Sequence, residues 1–217
     1  MKKKNRRNLY ASLFMLVAFV LWTIAVLFVD VKAIGPYGSS VGFASINAVI
    51  HKLTGVNMPL YHVTDWLGLV PIFVALGFAL LGLAQWIVRK KLSRVDYSIF
   101  ILGGFYITVM AVYILFETVT VNYRPVLIDG VLETSYPSST TLLVMCVMPT
   151  AIMQFNSRVK NKILKKCLSL LIALFIVFMV VGRLISGVHW FADIVGGALL
   201  SAGLVMMYRY FARRKEE

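Results

Sequence analysis

The residues able to do chemistry here are few and closely spaced. Gly182 to Asp193 reads GRLISGVHWFAD and holds an arginine, a histidine and an aspartate in an otherwise apolar stretch. If a helix begins near His189, Asp193 lies on the same face four residues on. Its carboxylate can then hold one imidazole nitrogen and present the other. Arg183 is a fixed positive charge suited to an oxyanion such as phosphate. Upstream stand Arg124-Pro125 and the run Tyr136-Pro-Ser-Ser-Thr-Thr141. Two arginines can clamp phosphate bidentately. A helix starting at Ser138–Thr141 offers hydroxyls and free backbone N–H groups, an anion site in itself. A histidine oriented by a carboxylate can attack phosphorus. Together these residues read as phosphoryl transfer through a phosphohistidine.

The elements that must position them are membrane helices. The 217 residues are 60% hydrophobic, with mean hydropathy +0.84, above the half-apolar composition of soluble domains. Six apolar runs approach the ~20 residues needed to cross a bilayer: Leu9–Val29, Trp66–Val88, Tyr97–Phe116, Ser138–Phe155, Leu168 through Arg183, and His189–Tyr210. The first is too long for a signal h-region and lacks a clear cleavage site, so it reads as a retained span. Val41–Leu53 reads as an amphipathic interfacial helix. Without repeats or low-complexity segments, the simplest division is a basic tail (1–8), one six-helix domain (9–212) and a charged tail (213–217). The two cysteines, Cys146 and Cys167, show neither zinc spacing nor a disulfide framework.

The net charge of +13 would suggest nucleic acid in a soluble protein. Here it sorts by topology. Five Lys and Arg precede the first span, four follow the second, five follow the fourth and four end the chain, eighteen of 22 on one side. The positive-inside rule puts both termini in the cytoplasm, and nucleic acid is not expected as a partner. Arg124, Ser138–Thr141, Arg183 and His189 then converge at the outer face of the cytoplasmic membrane. Convergent polar groups at a membrane boundary mark a site.

These residues resemble the type 2 phosphatidic acid phosphatase/haloperoxidase superfamily, in its integral membrane lipid phosphatase branch. The family pattern is K-x6-R-P, then P-S-G-H, then S-R-x5-H-x3-D. Arg183-x5-His189-x3-Asp193 matches the third motif, with Gly182 at its serine, and Arg124-Pro125 matches the end of the first. The resemblance covers roughly Tyr97 to Ala212. It implies an all-α, polytopic, six-helix bundle acting on a phosphorylated lipid, without a metal or other cofactor. It implies that His189 is the nucleophile oriented by Asp193, and that Arg124 and Arg183 bind phosphate with Ser138, Ser139 and Thr140.

Two positions depart from the pattern. The lysine of the first motif is Glu117, and the histidine of the second, the family's general acid, is Thr140. A threonine hydroxyl is far from the pKa that proton transfer at neutral pH needs, and losing such a group typically costs about 10²–10⁴ in rate. Either the leaving group needs little protonation, as in a polyprenyl diphosphate, or another group donates, or the protein binds phosphorylated lipid without turnover. A lipid transporter fits less well, for paired broken helices are lacking. Glu117 is expected either to pair with Arg124 or Arg183, or to act as an acid through a raised pKa. Tyr123 and Tyr136 stand beside the motifs as modulators or interface anchors. Asp129 and Glu133 read as a solvated turn, and His51 and His62 as interfacial or loop residues.

Overall fold

The computed structural model describes residues 2–213, with side chains from Asn5; most of the expected 213–217 tail lies outside the described residues. Eight α-helices make up most of the chain: α1 Lys2–Phe28, α2 Ala44–Thr54, α3 Met58–Leu67, α4 Leu69–Arg89, α5 Tyr97–Thr118, α6 Ser139–Arg158, α7 Lys162–Ile185 and α8 Phe191–Ala212. Six helical stretches among the described residues are long and apolar enough to span a membrane, α3 and α4 counting together. An even number of crossings returns both ends of the chain to one side. The chain is a multi-pass, all-α membrane protein. Its basic turns gather at one end of the bundle and the loops bearing Arg124 and His189 at the other.

α8 is the hub, packed against α1, α5 and α6. Between membrane helices there is no water to expel, so close packing of small residues drives association. α8 carries Gly196, Gly197, Ser201 and Gly203 on its buried positions. A Cβ on Gly203 would lie 2.7 Å from Leu16 of α1, and Ser12 Oγ donates to the Gly203 carbonyl at 2.8 Å. Tyr208, Phe105 and Leu102 close the core among α5, α6 and α8.

Four expectations on helix bounds change, the first being that α1 begins at Lys2 rather than Leu9, inside the expected basic tail. The second span begins at Met58 rather than Trp66, because Asn57 caps α3 by accepting from Leu60 N–H at 3.0 Å. A break at Gly68, where a Cβ would sit 2.8 Å from Asp65 O, divides α3 from α4. α7 starts at Lys162 rather than Leu168, since the Asn161 side chain accepts from Ile163 and Leu164 N–H. α8 starts at Phe191, with Trp190 at the N-cap, so His189 stands just outside the helix. The amphipathic helix falls at Ala44–Thr54, close to where the pattern puts it. The loop after α5 is a small irregular hairpin turning at Asp129-Gly130. Both residues have positive φ (49° and 79°), as a type I′ turn requires.

Replacing Gly203 by leucine forces α1 off α8 and is expected to cost about 1–3 kcal/mol by overpacking. Gly77→Leu, where a Cβ meets nothing within 4 Å, should be near neutral. Thermal unfolding in detergent compares the two.

Candidate functional site

Asp193 is fully buried at the third position of α8. Its Oδ2 accepts the Trp190 backbone N–H at 2.8 Å, and the Asp193 N–H donates back to Trp190 O at 3.1 Å. This reciprocal box satisfies free amides at a helix start, where the dipole also favours a carboxylate. Two polar groups from the hairpin loop complete the shell. Ser135 Oγ–H donates to Asp193 Oδ2 in a short bond, and Asn122 Nδ2 donates to Oδ1 at 3.4 Å.

His189 is not held by Asp193 directly. Its Nδ1 is 3.8 Å from Asp193 Oδ2, too long for a hydrogen bond. Ser135 stands between them, its Oγ 3.1 Å from His189 Nδ1. The one hydroxyl proton of Ser135 points to the carboxylate, so Oγ accepts from His189 Nδ1–H. That assigns the tautomer and leaves Nε2 with its lone pair free. Nε2 is buried and has no hydrogen-bond partner among the described residues. Burial first, then the charges of Arg124 and Arg183, hold the imidazole well below its usual pKa. His189 therefore rests neutral.

Arg183 comes from the last turn of α7 and its side chain is 1% exposed. Its Nη1 lies 3.4 Å from Thr64 Oγ1 and 3.5 Å from Asp65 Oδ1, and the guanidinium sits 5.0 Å over the Tyr61 ring. All three partners come from α3, a helix that the apolar pattern alone does not mark. The same approach accounts for Gly182, since a Cβ there would lie 2.8 Å from Thr64 Cγ2. Arg124 is held at the hairpin, its backbone N–H donating to Glu133 O at 3.0 Å and its Nε 3.0 Å from Glu133 Oε2. Arg124 Nη1 and Arg183 Nε are buried without hydrogen-bond partners. The arginines' carboxylate partners are thus Asp65 and Glu133, and the expected pairing of Glu117 with either is not formed. Glu133 is no free solvated turn residue, for its carboxylate is engaged by Arg124.

The Ser138–Thr141 run divides its labour. Ser138 is fully buried, caps α6 by accepting from Thr141 N–H at 3.5 Å and ties its own N–H to Asp193 O at 3.1 Å. The amides of Ser139 and Thr140 open α6 without intrahelical partners. A small cavity of about 10 Å³, room for about one water, is lined by His189, Ser135, Ser139, Tyr136 and Glu117 among others. Thr140 does not line it; its methyl faces Gly68. Tyr136 is no interface anchor. It is 1% exposed, stacks on Phe19 and shares a 2.7 Å hydrogen bond with Thr23 of α1. Tyr123 contributes its carbonyl, which accepts from Trp190 Nε1 at 2.8 Å. His51 reaches the Gly187 carbonyl at 3.1 Å, and His62 is exposed. Among the described residues, no group of three or more His, Cys, Asp or Glu is arranged to hold a metal ion.

The comparisons agree with this architecture. The PAP2 superfamily matches residues 108–217, and the chain belongs to that superfamily. The fold is similar to the crystal structure of a transmembrane PAP2-type phosphatidylglycerolphosphate phosphatase from Bacillus subtilis, with TM-score 0.61, 18% identity, and 92% of this chain and 94% of that one covered. Comparison with curated proteins finds no match.

A buried neutral histidine makes stability depend on pH. Below pH ~6.5 the unfolded chain protonates His189 and the folded chain does not, so stability falls with falling pH, by up to about 1.4 kcal/mol per unit. A His189→Asn variant should show a shallower fall as pH drops below about 6.5, the ordinary histidine pKa, read from melting in detergent.

Proposed function

We propose that the protein is a membrane phosphatase that hydrolyses a lipid phosphate or lipid diphosphate. One observation carries this reading: His189 Nε2 is buried and unpartnered within electrostatic reach of two buried arginines that have N–H groups to spare. Buried polar atoms are ordinarily paired, and an arriving phosphate would pair all of these at once. Nε2 attacks the terminal phosphorus, a P–N bond forms, and the P–O bond to the lipid oxygen, or in a diphosphate to the lipid-bound phosphate, breaks. Ser135 and Asp193 steady the Nδ1–H as positive charge develops on the ring. Arg124, Arg183 and the amides of Ser139 and Thr140 hold the phosphoryl oxygens. Water then cleaves the phosphohistidine and returns Nε2.

Glu117 is the carboxyl among the side chains lining the His189 cavity, the candidate donor of a proton to the departing oxygen. A diphosphate needs that proton least, because its leaving group is itself a phosphate, and this favours a polyprenyl diphosphate over phosphatidate. The lipid chain reaches the site from the membrane. An apolar cleft of about 730 Å³ among α4, α5 and α6 is lined by Phe78, Trp86, Phe100, Met110 and Leu143 among others, Leu143 being the chain neighbour of Leu142 in the site cavity. The positive-inside rule favours the basic end in the cytoplasm and the site at the outer face of the cytoplasmic membrane. A second reading, binding of phosphorylated lipid without turnover, draws on the absence of Thr140 from the cavity and the acidic charge of Glu117.

The test is phosphate release by purified protein in mixed micelles, from phosphatidate, phosphatidylglycerol phosphate and a polyprenyl diphosphate, with and without EDTA. Release should survive EDTA and vanish in His189→Ala. Ser135→Ala, which unmoors the ring without touching Nε2, should cost about 100-fold, as ~1 Å misplacements do. No release from any substrate, with wild type matching His189→Ala, leaves the binding reading. Sidedness is checked with Lys52→Cys, at an exposed position of α2, which an impermeant maleimide should label from outside intact cells.

A further inference from the structure

The segment from Asp30 to Asn57 is a strap across the site end of the bundle, and its two faces meet different things. The inner face is polar and bonded to the stretch that carries His189. Asn47 is fully buried in the middle of α2. Its Oδ1 accepts from Ala192 N–H, an otherwise free amide at the start of α8, at 3.1 Å, and its Nδ2 donates to Gly42 O at 2.8 Å. His51, one turn on, donates from Nε2 to the Gly187 carbonyl at 3.1 Å, and its ring lies 5.4 Å from that of Trp190. Asn57 N–H donates to Ser186 O at 3.0 Å. Gly187 fits so tightly under the strap that a Cβ would stand 1.9 Å from Gly55 O. Gly42 N–H donates to Asn122 Oδ1 at 3.3 Å, and Asn122 in turn donates to Asp193. The strap thus holds residues 186–192 from above and touches Asp193 through one side chain.

The outer face is apolar and uncovered. Ile46, Val49 and Leu53 form an i, i+3, i+7 row along α2, exposed by 48%, 60% and 81%, and Val56 continues it at 49%. Lys52 is exposed beside the row, where a long stem can reach headgroup phosphates. The inner face touches the start of α8 and the end of α7, so α2 lies at the boundary where those spans leave the apolar layer. The end of α1 is likewise apolar and exposed, at Leu27, Phe28 and Val29, and it adjoins the start of α2, where Phe43 N–H donates to Val29 O at 2.9 Å. An amphipathic helix at that depth, apolar outward and cationic at its edge, fits a bilayer interface.

We propose that α2 docks on the lipid surface through Ile46, Val49 and Leu53, and that this contact holds the 186–192 segment in the geometry that presents His189. The occupant is the bilayer itself. The site is assembled at the membrane surface, and a bilayer braces it more firmly than water does. The inference extends the proposed phosphatase reading but is tested without it.

The experiment uses the full chain in phospholipid nanodiscs. Leu53→Cys, in a Cys167→Ser background that leaves only buried Cys146, carries an environment-sensitive fluorophore. Quenching by lipids bearing a nitroxide near the headgroup, with little quenching by aqueous iodide, is expected. Iodide quenching without nitroxide quenching overturns the docking, as does efficient disulfide crosslinking of the unlabelled variant between two copies through the introduced thiol. Hydrogen exchange reports the coupling. Leu53→Asp should speed exchange of amides 186–192 by about tenfold or more, the scale set by losing one buried leucine, and leave amides in the middle of α8 unchanged. Unchanged exchange at 186–192 overturns the coupling. If the protein releases no phosphate, both readouts remain, so the two readings fail separately.

Discussion

Asp193 is a carboxylate with no access to water, and an ion so placed is tolerable only with its lone pairs occupied. That requirement organises this end of the molecule. The helix start supplies the Trp190 amide and the hairpin supplies Ser135 and Asn122. The Asp193 carbonyl then anchors Ser138, so α6 begins where α8 begins. The strap joins through Asn122. Elements far apart in sequence are thus pulled to one point by a single charge, and His189 takes its orientation from the same shell. Removing the carboxylate would leave Ser135, Asn122 and an N-cap amide short of an acceptor together.

The buried cations follow a related logic. Arg183 and Arg124 stand in an apolar bundle, yet neither is given a buried counter-ion. Each is matched to a half-exposed carboxylate, Asp65 and Glu133, at the rim. The guanidinium face of Arg183 rests on Tyr61, which stabilises it without consuming its N–H donors. Charge is offset from outside while donors are kept inward. Glu117, standing where the superfamily carries lysine, adds to the acidic rim and not to the cationic floor.

Whether a residue of this site can be read from the chain depends on whether it has a spacing to betray it. Arg183, His189 and Asp193 lie at intervals that a known motif fixes, and Arg124-Pro125 is tied to the same pattern. Six long apolar runs and four basic clusters declare the membrane fold. Ser135 and Asn122 carry no such signal, because they sit in an irregular hairpin where neither the helical nor the strand period applies. α3 is hidden for another reason. Pro59, His62 and Asp65 break its apolar run, yet Pro59 is tolerated in a first helical turn, and Tyr61, Thr64 and Asp65 face Arg183. The four-residue interval from His189 to Asp193 has helical meaning in the sequence; the N-cap at Trp190 instead leaves it spanning a turn, where a serine makes up the distance.

The rim carboxylates have one more implication. Asp65 and Glu133 are bound to their arginines before any ligand arrives, and the cavity beside His189 has room for about one water. An anion entering beside His189 would use the donors those acids leave free, Arg124 Nη1 and Arg183 Nε, while sharing the same guanidinium charge with them. A tethered carboxylate acts at an effective concentration of about millimolar or more, so the guanidinium charge is partly offset whether or not an anion is bound. Under the proposed reading, that standing offset loosens the hold on a small inorganic anion left in the cleft.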